Sequence, residues 1–79
     1  MRNLGEVLNR VLEEVPESEV SLRRRLRRVY ESSCFTAPEE MQGRWMEAQT
    51  ILAEEASGSG DWQNDIRRIW NGLEEQRVL

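Results

Sequence analysis

The sequence predicts an all-α protein, a small antiparallel bundle of four helices over about residues 3–15, 19–33, 37–56 and 61–76. Three observations lead there. Four separate stretches place apolar residues three and four apart, the spacing that gathers them on one helical face. Short segments carrying proline, serine, threonine or glycine separate these stretches, and short links make successive helices antiparallel neighbours. A chain of 79 residues is one domain, here residues 1–79, so four apolar seams share one interior.

The first helix opens on Asn3 and Glu6, spaced as a capping box in which Asn3 is the N-cap and Glu6 reaches back. Leu4, Val7, Leu8, Val11, Leu12 and Val15 form its seam. Gly5 weakens the first turn, and Pro16 disfavours helical geometry at Val15 and ends the helix. Ser18 is the expected N-cap of the second helix. There Leu22, Leu26, Val29 and Tyr30 share a face that Ser33 continues, while five arginines occupy six positions, from Arg23 to Arg28 around Leu26. Arg24 and Arg28 point away from the seam, Arg23 and Arg27 run down one flank, and Arg25 sits on the other. Glu13 and Glu14 are unfavourable to the dipole at the end of the first helix, and pairing with Arg23 or Arg27 relieves them.

Thr36 to Glu39 has the form of a second capping box, with Pro38 in the first turn where it is tolerated. Met41, Trp45, Ala48, Leu52 and Ala56 are the expected inward line of the third helix. Glu40, Glu47 and Glu54 form an acidic stripe on its outside, their successive spacing of seven residues being about 10.5 Å. Residues 57–60, two serines alternating with two glycines, read as a flexible loop. Asp61 then caps a fourth helix with Trp62, Ile66, Ile69, Trp70 and Leu73 inward and Arg67, Arg68, Glu74 and Glu75 outward. Residues 77–79 form a tail expected to fray. No internal repeat is visible.

Charge is unevenly placed. The net charge is −4, yet residues 20–34 carry +4, whereas residues 1–19 carry −3, 35–60 carry −4 and 61–79 carry −1. Every basic residue is arginine, which favours planar, bidentate partners such as carboxylate or phosphate and removes lysine chemistry. No apolar run is long enough to span a bilayer, and the first residues carry acids where a secretory signal would not. A cytoplasmic or intracellular location is the expectation, nuclear if the source is eukaryotic or viral.

These residues argue against an enzyme. General acid–base work needs a group poised near neutrality, and histidine is absent as well as lysine. The adjacent glutamate pairs read as solvated helix faces. One cysteine without histidine makes no zinc spacing, so no metal and no cofactor is expected. Cys34 lies past a helix C-terminus, the wrong end for lowering a thiol pKa, and reads as a small apolar filler.

The expected function is a non-enzymatic protein–protein interaction module, a regulator or inhibitor that occupies a partner surface and also self-associates into a homo-oligomer. Small proteins of this general type are often viral or phage inhibitors of host machinery, which is a prior about size and not a property of these residues. The alternative is an arginine-rich helix that binds RNA. The candidate contact residues under either reading are Arg24 and Arg28 first, then Arg23 and Arg27. Trp62, Trp70, Glu40, Glu47 and Glu54 are secondary interface candidates, because tryptophan anchors partner surfaces and an acidic stripe meets basic ones.

Overall fold

The computed structural model describes residues 3–72. Among them are four α-helices, α1 (Leu4–Glu14), α2 (Val20–Ser33), α3 (Met41–Glu55) and α4 (Asp61–Trp70), with a 3-10 turn at Pro38–Glu40 and no strand. The fold is the small all-α bundle that the apolar spacing predicts. α2 packs on α1 and on α3, while α4 returns against α1. The Cα trace spans 36 × 34 × 17 Å. With helix axes about 8–10 Å apart, the thin dimension has room for two layers of helix.

The seams meet as their spacing requires. Leu8, Val11, Leu22, Leu26 and Ile66 are fully enclosed, and Leu4, Val7, Val15, Val29 and Ile69 complete the interior from α1, α2 and α4. Tyr30, Leu12, Trp62 and Trp70 are half-buried against this core. α3 departs from its expected line. It buries Ala48, Ile51, Leu52 and Ala56, with Met41 and Trp45 only half-buried. The reason is that α3 has neighbours on two sides: Ile51 lies with Val29 and Arg25 along the α2 seam, while Trp45 meets Trp70 of α4 at a centroid distance of 5.2 Å and a 59° tilt. Two neighbours need a wider stripe than one line of residues supplies.

The helix ends differ most from expectation. α1 begins as read, with the Glu6 N–H donating to Asn3 Oδ1 at 3.3 Å. α2 begins one residue later than Ser18 allows: its N-cap is Glu19, without a side-chain cap. Residues 16–19 close a turn in which the Glu19 N–H donates to Pro16 O, and Ser18 is spent inside it. Thr36 does not cap α3 either. Its hydroxyl donates backward to Ser32 O at 2.7 Å, satisfying a carbonyl at the end of α2, and α3 is entered instead through the Pro38–Glu40 turn. α4 starts from Gly60, with Asp61 in its first turn rather than at the cap, where a carboxylate still favours the dipole. It stops at Trp70, short of the expected residue 76, because Gly72 takes a left-handed φ of 72° and its N–H returns to Ile69 O, a C-terminal stop of the glycine type. Leu73, Glu74, Glu75 and the tail 77–79 lie outside the described residues.

Two arginine clasps hold the helix pairs. Arg23 of α2 donates to Leu12 O at 3.0 Å and to Val15 O at 2.8 Å. Arg67 of α4 donates to Ala56 O at 3.2 Å, to Gly58 O at 2.6 Å and to Asn64 Oδ1 at 2.8 Å. Each places a cation on carbonyls at or just beyond the end of the preceding helix, which its backbone leaves unpaired and its dipole makes negative. The loop of residues 57–60 is fastened by the second clasp and by Asn64 Nδ2 donating to Ser59 O.

Candidate functional site

The outer face of α2 is built by alternation. Leu22, Leu26 and Val29 drive one side of the helix into the core, so the arginines between them are divided by angle among very different surroundings. Arg23 reaches the end of α1 as described and meets carbonyls there, not the Glu13 or Glu14 carboxylates. Arg25 turns toward α3 and makes ion pairs to Glu54 at 3.0 Å and Glu55 at 2.8 Å. Arg27 is three-quarters exposed, its side chain at 75%, and approaches Glu31 of its own helix at 3.9 Å. Arg24 and Arg28 are exposed and have no ion pair among the described residues. One helical turn apart, about 6 Å along the axis, they are the free charges of the face. Arg24, Arg27 and Arg28 share a shallow cleft of about 350 Å³ with Glu31 and Ser32. A second cleft of about 450 Å³ runs beside them toward Asn9, Leu12 and Glu13 of α1.

Electrostatics sets the α2–α3 seam. The Arg25 guanidinium holds the Glu55 carboxyl below the usual glutamate range, with help from the Ser21 hydroxyl. The same two carboxylates hold Arg25 above its ordinary value, Glu55 contributing most. These groups are exposed enough for water to screen the pairs, so their main effect is to set the register of α2 on α3.

The secondary candidates scatter. Glu40 ends the 3-10 turn before α3, Glu47 pairs with Arg44 of its own helix, and Glu54 faces Arg25. The expected stripe is thus no continuous acidic surface, because two of its three members face guanidinium groups. Trp62 and Trp70 are half-buried on the core and present only part of their rings. Among the described residues no three carboxylate or thiol groups converge as metal ligands would, and no helix is long and apolar enough to cross a membrane.

One residue escaped the sequence reading. Phe35 follows α2 and is 92% exposed. Its turn is closed by the Phe35 N–H donating to Ser32 O, by Thr36 as above, and by the Ser33 hydroxyl on Tyr30 O at 2.6 Å. Cys34, expected as a filler, is exposed beside it, its thiol donating to Tyr30 O at 3.5 Å. The tightening of the chain to i→i+3 bonds turns both outward. The available signal was a phenylalanine stranded between two apolar seams and belonging to neither. Met46, at 60%, is a second exposed apolar side chain.

Fold and surface together define a small helical domain with a partly uncompensated arginine face and an exposed aromatic at its end. No family model, no curated protein and no solved structure matches the chain.

Proposed function

We propose that this protein is a non-enzymatic interaction module that acts by occupying an acidic surface on a partner protein, and that it also self-associates. The observation that carries the reading is the pair Arg24 and Arg28, exposed and without an ion pair among the described residues, while Arg23 and Arg25 beside them are engaged within the fold. Guanidinium groups one turn apart fit two carboxylates one turn apart on a partner helix, each through parallel N–H···O bonds. The remainder of the chain is acidic and repels a long polyanion, which favours a protein over a nucleic acid.

The cleft shared by Arg24, Arg27, Arg28 and Ser32 favours a second reading, a phosphate-binding face for structured RNA. One experiment separates the two. The protein and its Arg24→Ala/Arg28→Ala variant are used as bait, each with and without nuclease. Protein captured by the wild type alone and retained after nuclease supports the first reading. Capture abolished by nuclease, together with a salt-sensitive gel shift on RNA, replaces it with the second. Equal capture by wild type and variant refutes both.

A further inference from the structure

We infer that Phe35 is the knob, and the groove between α3 and α4 the hole, of a head-to-tail contact between two copies of this chain. The inference rests on the self-association reading above and names the surfaces that self-association uses.

The hole has a volume of about 360 Å³. Leu52, Ala56 and Ile66 are buried and form its floor, Trp70 closes one side, and Ala53 is exposed at the rim. Apolar clefts of this kind hold one aromatic group with a few polar groups at the edge. The knob is as well prepared. A single exposed apolar side chain is unremarkable on any surface, but this ring stands on a turn whose backbone and side chains are hydrogen-bonded in place. Little backbone freedom is left to lose on docking, and such loss is a principal cost of binding.

Charge selects the pairing. Residues 29–43, around Phe35 in sequence, contain the exposed Glu31, Glu39 and Glu40 and no basic side chain, although Arg27 approaches Glu31 at 3.9 Å. Among the described residues the charged side chain lining the groove is Arg67, whose hydrogen bonds go to two carbonyls and an amide oxygen rather than to a carboxylate. An acidic knob therefore meets a basic-edged hole.

Phe35 cannot plug the groove of its own chain. Phe35 precedes the start of α3, whereas Leu52 lies about 16 Å along that helix from Met41, and the ring is solvent-exposed. Knob and hole are different patches, so a single contact leaves one of each open, and a head-to-tail assembly grows into a ring where its rotation closes and into an open filament where it does not.

The test is sedimentation velocity of the purified full chain over a range of concentrations, with Phe35→Ser, Ala53→Trp, an equimolar mixture of the two, and Arg24→Ala/Arg28→Ala. Phe35 and Ala53 are exposed, and matching far-UV circular dichroism confirms that each variant folds. Gln49→Trp, at another exposed position lining the groove, is the second blocking variant. The wild type should pass beyond a dimer as concentration rises. Each single variant should associate at least about tenfold more weakly, as for loss of an interface anchor. The mixture should form a dimer that grows no further, since one protein keeps the knob and the other the hole. The double arginine variant should behave as the wild type. A wild type that stays monomeric withdraws self-association altogether. An associating wild type with indifferent blocking variants, a mixture that fails to pair, or a double arginine variant that dissociates leaves self-association standing and overturns this contact.

Discussion

Arg23 and Arg24 are neighbours of one type in one helix, and replacing each by alanine removes the same charge. The structure assigns them opposite consequences. Arg23 donates to Leu12 O at 3.0 Å and to Val15 O at 2.8 Å, both part-buried. Hydrogen bonds from a charged donor contribute about 1.5–3 kcal/mol each when enclosed. Here water replaces part of what is lost, so Arg23→Ala should cost about 2 kcal/mol in all. A domain of this size loses about 4–8 °C of Tm per kcal/mol, so the midpoint should fall by about 8–16 °C. Arg24→Ala should stay within about 0.5 kcal/mol of the wild type. The assay is urea and thermal unfolding of the two variants in parallel, followed by circular dichroism at 222 nm. Because the acceptors are neutral carbonyls, the gap between the variants should persist in about 0.5 M salt, well above the screening range of exposed ion pairs. Equal midpoints for the two variants, or a gap that closes with salt, would refute the clasp.

Three further outcomes follow from the same geometry. Leu26→Ala, at a fully enclosed position, should destabilise by about 2–5 kcal/mol, and a urea midpoint near that of the wild type would mean that the α2 seam is not the centre of the core. Gly43→Ala should stabilise by about 0.5–1 kcal/mol, because an added Cβ meets nothing within 4 Å; a lowered thermal midpoint would contradict this. Glu55 is held below its ordinary pKa of 4.5 by Arg25, so its contribution is fully present above that value and is lost as the pH falls through the lower, folded-state pKa. The wild type should therefore exceed Glu55→Gln in stability at about pH 7 by more than at about pH 3, and a gap in urea midpoints that is constant with pH would remove the ion pair from the account.

How far the sequence could be read depended on the range of the interaction. The seams of α1 and α2 were legible residue by residue, since Leu8, Leu22 and Leu26 repeat at a period that means one thing in any compact fold. The end of α4 was legible in principle, because Asn71 followed by Gly72 is a stop signal that the apolar line through Leu73 obscured. Thr36 and Ser18 were misread for a different reason. A hydroxyl can cap the helix ahead or satisfy the one behind, and the choice falls to whichever backbone group the turn brings near.

The presence and order of the helices and the buried faces of α1 and α2 were determined by the sequence alone, because helical periodicity and breakers such as Pro16 act within a few residues of themselves, whereas the buried face of α3 was set by its two neighbours. The division of the arginines was decided only in three dimensions. Arg23 became a clasp, Arg25 an ion-pair partner of Glu54 and Glu55, and Arg24 and Arg28 exposed charges without an ion pair among the described residues. A guanidinium carries no local preference among these roles. It takes whichever carbonyl, carboxylate or water lies within its reach, and what lies there is set by the packing of α1 and α3 against α2.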